Sequence, residues 1–172
     1  RPLPDRLIAL AILAAALVLY QATFQTRFFG DGPGLYSQHV LDLRSYHVHV
    51  LYYPLAKFVR SWLPGEDPGR ALRFLSIVPS AGGLALGYLV LRRCGAQVFG
   101  ALVAIGLLAL APALWFFATS FELHGLVFGV VALVAWVTLA APWTRPAWAL
   151  ALVATVFPLL YWAHQSTLTL GP

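Results

Sequence analysis

The chain has 172 residues, 60% of them hydrophobic and 10% charged, with a mean hydropathy of +0.80 and a formal net charge of +5. A water-soluble domain of this length exposes too much of its surface to hide so much apolar material, so the composition fits lipid as solvent. The basic residues are scattered over loops without a basic run, which excludes a nucleic-acid footprint, and the single cysteine, Cys94, excludes a disulfide within the chain.

The first apolar run, 7–24, has no small-residue cleavage site, and Tyr20, Gln21 and Phe24 occupy its end. It reads as a retained anchor rather than a signal peptide. A long polar loop, 25–70, follows. Its Gly30-Asp31-Gly32-Pro33-Gly34 stretch is a turn that opens a helix, with Pro33 at a first helical position and Tyr36, Val40 and Leu43 at helical spacing. A second loop helix starts near Pro54. Leu51, Leu55, Phe58, Val59 and Trp62 line one face and Lys57, Arg60 and Ser61 the other, the pattern of a helix lying in a membrane interface.

Four more runs complete the chain: 71–91, 98–117, 123–141 and 147–163, the last extending through Gln165. Each is near the roughly 20 residues that a spanning helix needs. Gly82, Gly83 and Gly87 permit close helix packing in the second run. The runs are apolar on every face, unlike the alternating strands of a membrane barrel. The expected fold is therefore all-α: a polytopic membrane protein with about five transmembrane helices and an outer loop carrying two interfacial helices. Residues 1–172 form one transmembrane domain, expected to be part of a larger protein because the chain opens on Arg1 and closes on Gly171-Pro172.

Arg1 and Arg6, Arg92 and Arg93, and Arg145 fall on one side of this topology, while the short loop at 119–122 has no basic residue. The positive-inside rule then puts the N-terminus in the cytoplasm and the 25–70 loop outside, as a multi-pass protein of the plasma membrane. His39, His47, His49, His124 and His164 gather on the outer side with Asp31 and Glu122. Titratable groups collected at one interface point to chemistry or polar-ligand binding there.

Asp31, between two glycines just beyond the first run, can act as a general base toward an acceptor hydroxyl, or simply as a turn or cap aspartate. Glu122 and His124 interrupt two apolar runs; an acid so close to lipid needs a partner or a task. His47 and His49, with His39 or Glu122, make a metal-like set, so a divalent metal is compatible with the pattern although no cofactor is required by it. Arg70 and Arg73, at the outer end of the second run, can hold a lipid-linked phosphate or snorkel to headgroups. No dinucleotide fingerprint, phosphate loop, nucleophile elbow or Cys-x-x-Cys pair is present.

One span, a long structured outer loop and closely connected later spans resemble the N-terminal half of the GT-C membrane glycosyltransferases. The details resemble the protein O-mannosyltransferase-like group, whose first loop reads Gly-Asp-Ser/Thr and then His-Pro-Pro-Gly-Tyr-Pro-Leu. Gly30-Asp31-Gly32 matches the first stretch. His49, Tyr53, Pro54 and Leu55 match the second in register, with Val50-Leu51-Tyr52 in place of Pro-Pro-Gly. Arg73-Phe74-Leu75-Ser76 resembles that group's entry to the second span. Leu110-Ala111-Pro112 through Trp115, then Ala118 to Glu122, resembles a later stretch that ends in an acid.

The resemblance implies transfer of a sugar from a polyprenyl-phosphate-linked donor to a protein or lipid acceptor at the outer membrane face. Asp31 would be the base and Glu122 the later acid. His49, Tyr53 and His124 would bind substrate, and Arg70 and Arg73 would steady the departing phosphate. A membrane transporter or flippase for a polar or lipid-linked substrate is the alternative; it would need broken helices and polar groups at mid-membrane. A non-catalytic scaffold would not need Asp31 and Glu122 to converge.

Overall fold

The computed structural model describes residues 4–25, 33, 36, 52–63, 67, 69–140, 147, 150, 151, 154 and 155. Its elements are α1 (Asp5–Ala22), α2 (Tyr52–Trp62), α3 (Gly69–Arg93), α4 (Val98–Ala109), α5 (Pro112–Thr119) and α6 (His124–Ala140). The all-α expectation holds for these residues, but the expectation of five spans does not. Among the described residues two helices, α1 and α3, are long and apolar enough to cross a membrane, or three if the bent α4–α5 pair is counted as one span.

The third and fourth runs fall short for local reasons. The third run breaks before Pro112, which has no N–H to donate and pushes the preceding residue out of the helical region. Ala111 accordingly sits at φ −59° and ψ 128°, and the axes of α4 and α5 diverge by 62°. The fourth run yields a 17-residue helix, about 25 Å at 1.5 Å per residue, against a hydrocarbon layer of roughly 30 Å. Of the fifth run only Ala147, Leu150, Ala151, Ala154 and Thr155 are described. The first of the two expected loop helices also lies outside the described residues, apart from Pro33 and Tyr36.

α3 is the axis of the bundle. At one end its Arg92 Nε donates to Asp5 Oδ1 at 2.9 Å and Tyr88 Oη donates to the same oxygen at 2.9 Å. These bonds tie the start of α1 to the end of α3, so the two helices run antiparallel. Ala9, Ala16 and Tyr20 of α1 share a core with Ile77, Ala81, Leu84 and Tyr88 of α3 and with Ala101 and Ile105 of α4. Tyr20 Oη also donates to the Ala109 carbonyl at 3.1 Å, closing one of the backbone acceptors that the break before Pro112 exposes.

On the other side α6 crosses α3 through small residues. A Cβ on Gly125 would meet the Ser76 carbonyl oxygen and Ser80 Oγ at 2.7 Å each, and one on Gly129 would meet Pro79 Cβ and its carbonyl oxygen at 2.6 Å. Gly125 and Gly129, one turn apart, let the backbones touch where any larger residue would hold them apart. Of the three glycines expected to serve packing, Gly83 lies under Phe128 and Gly87 beside Ile105, whereas a Cβ on Gly82 would meet nothing within 4 Å.

α2 is amphipathic as expected, and only part of its apolar face packs on protein. Tyr52, Ala56 and Val59 are buried against Ala71, Leu72 and Leu75 of α3 and against Phe121, Leu123 and Leu126. Phe58 and Trp62 are exposed, their rings 5.3 Å apart. Residues 52, 56 and 59 share one side of a 3.6-residue helix, and the two aromatic rings lie on its flank.

Candidate functional site

The end of the bundle opposite the Asp5–Arg92 pair brings together the close of α1, the start of α3 and the α5–α6 junction. Gln25 is the first tie. Its N–H donates to the Thr119 carbonyl at 2.7 Å, and its Nε2 donates to Thr119 Oγ1 at 3.4 Å. The junction from Ser120 to Leu123 is not helical, yet every residue in it is buried. Buried irregular backbone needs partners for its polar groups. Ser120 Oγ turns back to the Phe116 carbonyl at 2.7 Å, and the Glu122 N–H donates to the Ser120 carbonyl at 2.9 Å.

Ser76 of α3 is the second tie. Its Oγ lies 3.3 Å from the Glu122 carbonyl oxygen, 3.2 Å from the Leu72 carbonyl oxygen and 3.5 Å from the Glu122 N–H, which donates to it. One buried hydroxyl thus contacts both backbone polar groups of Glu122 from the neighbouring helix. Glu122 itself is 3% exposed.

Its carboxylate faces the imidazole of His124, with Nδ1 and Oε2 3.7 Å apart. That distance is an ion-pair contact rather than a hydrogen bond. The His124 ring stacks on Phe117 with centroids 4.3 Å apart and planes 22° apart. The His124 side chain is 43% exposed and that of Glu122 only 4%. Glu122 is therefore the buried member of the pair and His124 the half-exposed one. Such a pair can accept a proton from, or hold, a polar group that reaches His124.

The wall beside this pair is aromatic. Phe121 packs edge-on against Phe24 at 5.2 Å and against Tyr36 at 5.9 Å. The Arg73 guanidinium lies 4.7 Å above the Phe24 ring, a cation–π contact. Gly69 is set close under the same wall: a Cβ there would meet Tyr36 Cε2 at 3.2 Å and Phe121 Cζ at 3.4 Å. Asp67 Oδ1 accepts the Gly69 N–H at 2.8 Å, capping one of the unsatisfied donors at the start of α3.

Of the residues singled out by sequence, the structure brings Glu122 and His124 together and sets Arg73 beside the ring that packs on Phe121. Arg70 lines a groove between α1 and α3. Tyr53 belongs to α2 by its backbone. Asp31, His39, His47, His49 and His164 lie outside the described residues. Among the described residues no three of the histidines, cysteine and acids converge as a metal set. Sequence reasoning gave Gln25 no part in the site, and it named Ser76 and Thr119 only within longer stretches, not as ties to Glu122. The signal for Ser76 was available as a hydroxyl within an otherwise apolar run; Gln25 had no signal beyond its place at the end of one. No family model matches this chain, and neither curated proteins nor solved structures show a significant match to it.

Proposed function

We propose that the protein is a GT-C-type glycosyltransferase that moves a sugar from a polyprenyl-phosphate-linked donor to a protein or lipid acceptor at the outer face of a plasma membrane. The observation that carries this reading is the buried Glu122 carboxylate beside the half-exposed His124 ring, at the end of two helices long and apolar enough to cross a membrane. A carboxylate kept from water, with an imidazole beside it, suits proton transfer and the holding of sugar hydroxyls.

In the transfer, Asp31 takes the proton of the acceptor hydroxyl. The acceptor oxygen bonds to the anomeric carbon, the carbon–oxygen bond to phosphate breaks, and polyprenyl phosphate leaves with the electron pair. Glu122 and His124 orient the hydroxyls, and His49 and Tyr53 contact substrate as the family resemblance implies. Chain length supports a role for Asp31 beside Glu122. Gln25, six residues before it, is bonded to Thr119, and Tyr36, five residues after it, packs on Phe121. Gln25 and Tyr36 therefore both sit against the stretch that leads into Glu122, and six residues reach roughly 20 Å at full extension.

The test uses membranes carrying the intact protein, a set of polyprenyl-phosphate sugars and an acceptor extract. Wild-type protein should transfer sugar, and Asp31→Asn and Glu122→Gln should each lower turnover by about 10²–10⁴-fold at unchanged protein level. Undiminished turnover in Asp31→Asn would remove it from the mechanism. The 62° bend between α4 and α5 favours a second reading, a transporter built on a broken helix. Substrate flux in sealed vesicles without any sugar transfer would decide for it.

A further inference from the structure

Between α1 and α3, on the side away from α6, runs a groove of about 710 Å³. Leu17 and Val18 of α1 and Phe74, Ile77 and Val78 of α3 form its walls, with Leu63, just beyond α2, closing one side. Among the described residues its polar lining is Gln21, Arg70 and Arg73. Gln21 is near the end of α1, and the arginines are near the start of α3. Because the helices are antiparallel, all three stand at the same end. The stretch from Arg70 to Val78 is about 12 Å long at 1.5 Å per residue.

Arg73 points to a ligand at that end. The Phe24 ring holds its guanidinium at 4.7 Å, yet its Nε–H is buried without a hydrogen-bond acceptor among the described residues. A buried guanidinium donor without an acceptor is costly, and an anion seated there removes the cost. Among the described residues the lining holds no carboxylate and no imidazole, so its charge is purely positive. An alkyl chain with an acidic head is what it can recognise: apolar walls for the chain, guanidinium forks for a phosphate.

We infer that this groove is a binding site for an acidic phospholipid of the surrounding bilayer, with one acyl chain along Leu17, Val18, Phe74 and Val78 and the phosphate held by Arg70 and Arg73. Bilayer lipid is the occupant because α1 and α3 are the helices fit to lie in lipid, and the groove lies between them. The inference does not rest on sugar transfer, and its failure leaves that reading untouched.

The test is native mass spectrometry of the full chain released from detergent, titrated with phosphatidylglycerol, phosphatidylcholine or inorganic phosphate. One phosphatidylglycerol should bind about 10-fold or more tightly than phosphatidylcholine, whose phosphate is the same but whose choline cation is repelled by the two guanidinium groups. The Arg70→Gln, Arg73→Gln double variant should lose that preference, and Arg93→Gln, at the other end of α3, should keep it. Val78→Trp fills the groove without changing charge and should weaken both lipids; it also covers the case of a double variant that does not fold. Equal binding of the two lipids, or inorganic phosphate binding as well as the lipid, would overturn the proposal. Displacement of phosphatidylglycerol by equimolar polyprenyl phosphate would overturn it too, because the groove would then be a substrate site.

Discussion

Gly129→Ala should destabilise the bundle, whereas Gly82→Ala should not. Gly129 sits where α6 crosses α3 at Pro79. A methyl group on it meets Pro79 Cβ and the Pro79 carbonyl oxygen at 2.6 Å, and the carbonyl carbon at 2.9 Å. Two of those atoms are backbone and the third belongs to a closed ring, so none can rotate away; the helices must part. Overpacking of this kind costs about 1–3 kcal/mol. Both substitutions gain helix propensity, up to about 1 kcal/mol. Since a Cβ on Gly82 meets nothing within 4 Å, that gain is its whole effect. The propensity term cancels between the two variants, so their difference in stability is the overpacking cost alone. Titration with a denaturing detergent, followed by far-UV circular dichroism, measures it. Equal midpoints for the two variants would refute the close crossing of α3 and α6.

Two further substitutions probe the two ends of the bundle. Ser76→Ala removes the hydroxyl that contacts both backbone polar groups of Glu122; it should cost about 1–3 kcal/mol in the same titration and lower sugar transfer by the intact protein, while Ser76→Thr keeps the hydroxyl and should restore part of both. Asp5→Ala removes the acceptor shared by Arg92 and Tyr88; amide hydrogen exchange in the first turns of α1 should quicken, with exchange near Glu122 unchanged, and an unchanged α1 would show that the pair does not hold the helices together.

Helical class was legible because the apolar runs are long and lack alternation. The span count was not, and the reason lies in particular residues. Hydropathy is a sum over a window and does not register Pro112, a single residue that removes one N–H and turns Ala111 extended. Pro79 shows why proline alone does not settle the matter: α3 runs through it unbroken from Gly69 to Arg93. What differs is context. Gly129 lets α6 lie directly on Pro79 and pack against both sides of the missing hydrogen bond, whereas Pro112 begins a new helix with a free choice of direction. Which part of the apolar face of α2 packs on protein was likewise not legible. Phe58 and Trp62 carry the most apolar area, yet Tyr52, Ala56 and Val59 are the buried residues. Ala56 and Val59 let α2 approach α3 closely, Tyr52 fills the contact, and the Phe58 and Trp62 rings stay outside it.

The polar interruption at Thr119, Ser120, Glu122 and His124 was visible as an interruption but not as an arrangement. Four short-range clues in the sequence could equally describe a loop in water. The structure instead buries this stretch, and burial changes what each residue has to do. Irregular backbone is tolerated away from water only when protein groups satisfy it. Ser120 bonds back to Phe116, Gln25 reaches Thr119 from just beyond α1, and Ser76 reaches Glu122 from α3. Two helices and the segment just beyond α1 thus supply the hydrogen bonds that a continuous helix would have supplied itself. The break before α6 leaves a buried carboxylate whose backbone is held by Ser76 and whose side chain lies 3.7 Å from the half-exposed His124. A helix uninterrupted from 112 to 140 would satisfy the same backbone groups with fewer specialised residues, but it would give Glu122 no such enclosed place. The extra hydrogen-bonding residues are therefore explained by the position of the carboxylate rather than by stability, and this is the physical ground for looking to Glu122 first.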